Sequence, residues 1–500
     1  MPSRPPRTRI ILLSALLIAI LTSAGLWLPA SSAERAGWRA DLADLEHHVS
    51  RSYANLEWLV TRGRVDPRAL HDSTLAALGR ARTRRDARRA LQEFAAAFED
   101  GHFRLSTPMP AVVAAAVRLW DRRGTPPAPG WSAARACRAL GYSADDREFG
   151  LPFDRLDGFV PLPDAGDFPA GLVPLADGRR AGVLRISLFS TYAHASACAD
   201  AWRRVRDTLA IPCGQTCTAA IDSMADMVVL DRLAARARAL ASAGARLLVV
   251  DLTGNGGGED IVDPMARTLT PIRLRAGPRP VLRHPHAVAQ LEAGRAELAA
   301  DLDRTDLPAA RRSLVGSALT RMDSLIAEAR RPCDWSGIWR GGVRAARCSM
   351  LVKEGIYSTG LLDYAAPGSL DGLVSRDVLF SPSRFTYEEG VWSGPLVVLV
   401  DHGTASAAEG FAALLRDNGA ATVLGERTWG AGCGYTDGGI RHVLPHTGLD
   451  VRLPDCVRSR ADGSNEVDGV TPDVTVPWRD GDDGVARARL VREVLSRMPG

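Results

Sequence analysis

GPLVVLVDHGTASAAEGFAALLRDNGAATVLGERTWGAGCG, residues 394–434, is the segment from which the rest of this chain is best understood. Its first part, Leu396 to Val400, is an unbroken apolar run, the mark of a strand buried on both faces. A turn follows, then a small-residue helix that opens at Ser406. A serine at a helix N-terminus sits beside unpaired backbone N–H groups and the positive end of the helix dipole, where a developing oxyanion is stabilised. Ala405, Ala407 and Ala408 leave space around it for a bulky acyl group. A plain helix cap at Ser406 or Thr404 accounts for the same residues equally well.

Residues 247–259, LLVVDLTGNGGGE, shift that balance. The apolar run predicts a second buried strand, and Gly254, Asn255, Gly256, Gly257 and Gly258 follow at its C-terminal end. Consecutive glycines let a backbone approach a ligand closely and turn its N–H groups inward. As a phosphate loop the segment fails, because it lacks a Gly-Lys-Ser/Thr ending and the G-x-G-x-x-G spacing. As half of an oxyanion hole it works, with donors from Gly257 or Gly258 facing one from Ala407.

The pairing of D-L-x-x-N-x-G-G at 251–258 with G-T-A-S-A-x-E at 403–409 resembles the C-terminal processing (tail-specific) serine peptidases. The segment 466–473, EVDGVTPD, resembles that family's closing strand, and the likeness spans roughly 87–476 in the family's order. It implies a Clp/crotonase-like superhelical α/β core, and strands alternating with helices independently predict an α/β architecture with much of the sheet parallel. The better-known branch of the family uses a Ser–Lys dyad, with the lysine about 25 residues beyond the serine. Here the equivalent turn is Thr428, Trp429, Gly430, Ala431, and the chain's one lysine is Lys353. A Ser–Lys mechanism is therefore disfavoured. The tricorn-like branch uses histidine, and its signature resembles residues 98–105, FEDGHFRL. By that resemblance Ser406 is the nucleophile, His102 the general base and Glu466 the group that orients or polarises the base, with Asp468 as substitute. Imidazole titrates near neutrality, so it can take the serine proton and return it to a leaving amine.

A lone Asp-Gly-His is ordinarily a turn, and His402, four residues before Ser406, is a rival base. Glu409 reads as an anchor for its helix. His284, His286, His442 and His446 have no motif around them and read as surface or loop residues. His284 and His286 have no third ligand at metal-binding spacing, so no metal and no cofactor is expected.

The 500 residues suffice for two or three structural units. A net charge of +4 includes Arg4, Arg7 and Arg9, which precede the first acidic residue. The remainder is near neutral, and no nucleic-acid partner is expected. Those arginines, the apolar stretch 10–28 and the small residues Ser31, Ser32 and Ala33 read as a signal peptide, or as an uncleaved membrane anchor. Either predicts an exported protein, periplasmic or secreted. Eight cysteines fit an oxidising compartment. Proximity along the chain suggests Cys213–Cys217, Cys333–Cys348 and Cys433–Cys456, leaving Cys137–Cys198, although spacing does not fix connectivity.

The organisation expected is a signal or anchor at 1–33, a helical unit at 34–100 that delivers His102, a first core part at 101–262, an insertion or cap at 263–393, the nucleophile-bearing part at 394–480 and a helical tail at 481–500. Helical periodicity over 287–331 predicts a helix pair in the cap, and further readings are a core strand over 181–189, a helix over 224–243 and a closing strand over 467–476. Prolines, glycines and short apolar runs over 108–177 predict loops and short strands. Many members of the family carry a PDZ domain, but no Gly-Leu-Gly-Phe loop is present and none is expected. The function implied is hydrolysis of peptides or unfolded tails through an acyl-enzyme. Alternatives are a non-catalytic ligand-binding protein on the same scaffold and an esterase or amidase of small acyl substrates.

Overall fold

The computed structural model describes residues 29–107, 127, 130–143, 148–163, 167–208, 213–479 and 481–498. Most of the expected signal segment, together with 108–126 of the expected loop region, lies outside these residues. The described chain begins as a small helical unit. Helix α1 (Ser32–Ser52) opens on a capping box between Ser31 and Glu34, so the expected cleavage point after Ala33 falls in its first turn. Asp66 caps α2 (Pro67–Arg80), and Thr83 with Asp86 caps α3 (Arg84–Ala96); each cap satisfies N–H groups that a helix start leaves free. Leu42, Leu45, Val49, Leu91 and Phe94 recur at three- and four-residue steps and are all buried. The short strand β1 (Arg104–Ser106) follows immediately after His102.

Next come β2 (Val160–Pro161), β3 (Ala170–Pro174) and β4 (Arg180–Arg185), then helix α4 (Gln215–Ser242) and β5 (Leu247–Asp251). The cap segment holds β6 (Val281–Leu282), the helix pair α5 (Pro285–Leu302) and α6 (Ala309–Ala329), and β7 (Leu351–Val352). Strand β8 (Leu396–Val400) leads into α7 (Ala407–Asp417) and β9 (Thr422–Gly425). The hairpin strands β10 (Ile440–Val443) and β11 (Asp450–Leu453), the short β12 (Val474–Thr475) and helix α8 (Gly484–Arg497) complete the chain.

The architecture is mixed α/β around a seven-stranded sheet of order β12-β9-β8-β5-β4-β3-β2. Its five strands from β12 to β4 are parallel, and β3 and β2 run antiparallel at one edge. Strands β5 and β8 are buried along their whole length, as their unbroken apolar runs require. Both deliver their loops to the same end of the sheet, which is where open parallel sheets place ligands. A separate three-stranded sheet of order β1-β11-β10 pairs Leu105 with Val451. That pairing joins the helical unit to the C-terminal third of the chain.

Three details differ from the sequence expectation. The strand expected over 181–189 ends at Arg185, because Phe189 leaves the sheet to bridge Gly258 instead. The helix expected over 224–243 begins earlier, at Gln215. The expected closing strand at 467–476 is reduced to β12, since Glu466–Asp468 forms a turn of 3-10 helix. The cysteines form the four pairs Cys137–Cys198, Cys213–Cys217, Cys333–Cys348 and Cys433–Cys456.

Candidate active site

Ser406 sits on a sharp strand-to-helix turn between β8 and α7, with φ 56° and ψ −119°. This is a left-handed, sparsely populated conformation for a residue with a Cβ, and such strain persists only where the surroundings over-determine it. Here the determinants are visible. The Ser406 N–H donates to Glu409 Oε2 at 2.8 Å, and its carbonyl accepts from Arg458 at 3.2 Å. The preceding Ala405 N–H donates to the Asn255 carbonyl at 2.9 Å, locking the turn to the glycine-rich loop after β5. A serine on a sharp, strained turn between a strand and a helix has the backbone setting of a nucleophile elbow. No G-x-S-x-G pattern announces it here.

The glycine loop lies directly against this elbow. A methyl group on Gly257 would stand 2.7 Å from Ser406 Cβ and 2.9 Å from Ala407 N, so only glycine fits. The Gly257 N–H, however, donates to Asn255 Oδ1 at 2.8 Å. The expected choice between Gly257 and Gly258 as donor therefore narrows to Gly258. Phe189 N–H bonds the Gly257 carbonyl, and Glu259 N–H bonds the Phe189 carbonyl. Residues alternate sides along such a pairing, so the intervening Gly258 amide faces away from Phe189. Among the described residues, the N–H groups of Gly258 and Ala407 have no hydrogen-bond partner. Ala407 directly follows Ser406, and Gly258 directly follows the Gly257 that packs against that serine.

His102 is half-buried at the mouth of the helical unit. Its N–H donates to Asp100 Oδ1 at 2.9 Å, and Asp100 Oδ2 in turn accepts from Tyr53 Oη and Asn55 Nδ2 at 2.8 and 2.9 Å. Burial pushes the Asp100 carboxyl above its usual range, while those donors pull it back. The imidazole Nδ1 lies 2.7 Å from the Ala431 carbonyl. A carbonyl only accepts, so Nδ1 carries the proton and Nε2 is left as the basic nitrogen. Nε2 lies over Gly434, where a methyl group would approach it to 2.8 Å. Ala431 occupies the position that the lysine holds in the Ser–Lys branch. Its main chain now orients the histidine, a role no side-chain pattern could announce.

Glu409 connects the two halves. Its side chain is fully buried and accepts from Ser406 N–H, Thr428 Oγ1 and the N–H groups of Gly430, Ala431 and Gly432, at 2.6 to 3.1 Å. One carboxylate thus holds both the nucleophile turn and the residue whose carbonyl orients His102. Glu466 does something else. It is buried, and its contact is an ion pair with Arg458, Nε to Oε2 2.8 Å, without hydrogen-bond alignment. Burial pushes its carboxyl above the usual range, against the pull of Arg458. Arg458 reaches the carbonyls of Ser406 and Gly432. The described contacts therefore route Glu466 through Arg458 to the nucleophile turn, and the group hydrogen-bonded to the imidazole is Ala431.

The rivals fall elsewhere. His402 is exposed in the turn before Ser406 and has no described hydrogen bond. Asp468 accepts from Arg64 and from Trp58 Nε1 at 2.9 Å. Lys353 is exposed and pairs with Glu57 at 3.3 Å. No cluster of three metal-ligating side chains occurs among the described residues.

Comparison with known proteins agrees with this arrangement of elements. Residues 352–476 match the family described as Peptidase family S41. A stretch of 59 residues is 44% identical to the carboxyl-terminal-processing peptidase 3, chloroplastic, of Arabidopsis thaliana, spanning 12% of this chain and 11% of that relative's length. Among solved structures, mature CPAF complexed with lactacystin matches 93% of this chain and 98% of its own, with a TM-score of 0.54 at 16% identity. Mature CPAF matches with a TM-score of 0.52, also at 16% identity, over 93% of this chain and 97% of its own. These likenesses show the fold.

Proposed function

We propose that this chain, which carries a peptidase family S41 domain over residues 352–476, is an exported serine peptidase acting through an acyl-enzyme. Ser406 attacks the scissile carbonyl, and His102 takes its proton at Nε2 and returns it to the leaving amine. The N–H groups of Ala407 and Gly258 hold the oxyanion. Glu466, through Arg458, braces the carbonyl of Ser406. Export is supported by the basic and apolar N-terminal sequence and by four disulfides. No metal or organic cofactor enters the chemistry.

The observation that carries this reading is the conjunction at Ser406. The serine is held in a strained turn with two unpartnered N–H donors beside it, and one buried carboxylate ties that turn to the loop that orients His102. A ligand-binding protein has no use for a strained serine, an oriented imidazole and open amides together.

The test is labelling of the disulfide-intact protein with a fluorophosphonate probe, with the adduct mapped by mass spectrometry. Modification at Ser406 is expected, with a loss of at least 10²-fold in labelling rate for His102→Ala, in line with general-base contributions. A folded protein that takes no label at Ser406 sinks the reading.

A further inference from the structure

A cleft of about 250 Å³ opens between the cap helix α5, the cap segment around Arg279 and the C-terminal segment around Asp455 and Cys456. Along the chain its wall runs close to the candidate site on both sides. Asp260, on its wall, is two residues beyond Gly258, and Thr436 is two residues beyond Gly434, over which His102 lies. Cys456 is joined to Cys433 and bridges Val281 in the strand that follows Arg279.

The charges in this cleft are not equivalent. Asp260 is paired with Arg384 at 3.0 Å, and Asp377 with the same guanidinium at 3.6 Å. Asp455 accepts from Thr436 N–H and Oγ1 at 2.7 and 2.9 Å and lies 2.9 Å from His286 Nε2. Each carboxylate thus has its partners. Arg279 does not: its backbone N–H bonds the Ile356 carbonyl, but no hydrogen bond or ion pair to its guanidinium occurs among the described residues. Burial lowers its pKa, and the charges of Asp260 and Asp455 offset only part of that effect. An arginine remains charged in proteins and presents five donors in a planar fork that matches a carboxylate bidentately. A half-buried guanidinium that lines an open cleft, with no carboxylate in hydrogen-bond or ion-pair contact among the described residues, can still take one up.

We propose that this cleft is a subsite for a carboxylate carried by the bound peptide, recognised by Arg279. The inference rests on the peptidase reading for its ligand class. The carboxylate is either the peptide's free C-terminus or an acidic side chain, and both present the same two oxygens to the guanidinium. A basic side chain fits less well, because the acidic groups on the wall are already engaged.

The experiment measures binding rather than turnover. Full-length, disulfide-intact Ser406→Ala protein is titrated with three N-terminally fluorescein-labelled peptides, read by anisotropy. They are hexa-alanine with a free C-terminus, hexa-alanine amide, and the amide with one alanine replaced by glutamate. One or both carboxylate peptides are expected to bind on the order of 10-fold more tightly than the plain amide, and which one does so identifies the source. Arg279→Met in the same background should abolish the preference and Arg279→Lys restore part of it, with melting temperature confirming that each variant folds. Equal binding of all three peptides, no binding of any, or a preference that persists in Arg279→Met overturns the subsite. Fluorophosphonate labelling of the Ser406 protein is read separately. Absent labelling with an intact carboxylate preference defeats the peptidase reading alone, and labelling without the preference defeats the subsite alone.

Discussion

Ser406 and His102, the proposed nucleophile and base, stand on different hydrophobic cores. Ser406 begins a helix whose Ala407, Ala408 and Phe411 pack into the core on one face of the seven-stranded sheet, with Leu248, Val250 and Val398. His102 is flanked by Phe98, Phe103 and Leu105, which belong to a second core built from α1, α3 and the small sheet, with Leu449 and Val451. The first half is local: Ser406 and its anchor Glu409 are one helical turn apart. The second is assembled over a distance, through the pairing of β1 with β11. The difference teaches that neither core alone makes the site. The loop 428–435 makes it, by giving its amides to Glu409 and its Ala431 carbonyl to His102.

The most damaging way to break that connection is Glu409→Ala. It strands five donors, four of them in buried hydrogen bonds, that one carboxylate now satisfies. Leaving buried donors unpaired costs roughly 1–3 kcal/mol each, incompletely additive, so a loss of at least about 4 kcal/mol is expected. Urea denaturation reads the stability, and fluorophosphonate labelling should fall below detection even in protein that remains folded. Normal labelling in a folded Glu409→Ala protein would show that the connection does not control the site.

A narrower cut separates the base from the nucleophile and leaves Glu409 intact. A methyl group at Gly434 would stand 2.8, 2.9 and 3.0 Å from His102 Nε2, Cε1 and Cδ2, and φ there is +78°. Gly434→Ala should displace the ring and lower the labelling rate on the order of 10²-fold. The left-handed backbone adds about 1–2 kcal/mol of destabilisation. Gly438→Ala is the control: its φ is +81°, but nothing lies within 4 Å of the new methyl group. It should share the stability loss and label at the ordinary rate. Equal labelling of the two variants would remove His102 from the mechanism.

The same division governs how much could be read in the sequence. The buried runs of β5 and β8, the serine after β8 and the glycines after β5 were legible because each is a local pattern with a local cause. The helix pair of the cap was legible from periodicity, and three of the four cysteine pairs were suggested by proximity, the fourth being what remained. His102 was legible only through a motif, since nothing around residue 102 names a partner more than 300 residues away. What orients it was not legible at all. Ala431 acts through its carbonyl, which every residue has, and the engagement of Gly257 N–H by Asn255 depends on a loop conformation that composition does not specify. Glu466 was expected to orient or polarise the base, and its contact with Arg458 instead depends on tertiary packing that the sequence does not specify.

The mildest test sharpens the comparison by acidifying one core more than the other. His48 on α1 is half-buried and faces His442 on β10 at a ring distance of 4.7 Å, with His284 from the cap, His47 and Asp44 around it. Burial, with the neighbouring histidines, pushes its pKa down to about 4, and Asp44 opposes this only in part. His284 is likewise pushed down to about 4, by burial and then by His286 and Arg51. His284 and His442, expected on the sequence alone to be surface or loop groups, instead form a half-buried seam with His48 against the core that holds His102. Because the folded value lies below the ordinary 6.5, the unfolded chain takes up the proton first, and acid favours unfolding. The contribution is fully present above pH 6.5 and is lost as pH falls toward about 4. His48→Gln should change stability by less than about 1 kcal/mol at pH 7.5. Between pH 6.5 and 4 it should lose less stability than the parent, since the buried site no longer resists a proton. General protonation of carboxylates affects both proteins alike, so the difference between their melting curves is the quantity to follow. Parallel curves across that window would mean that His48 titrates as freely in the folded protein as in the unfolded chain. A difference confined to that window would show that the fold keeps the proton from His48 and that acid loosens the core against which it packs.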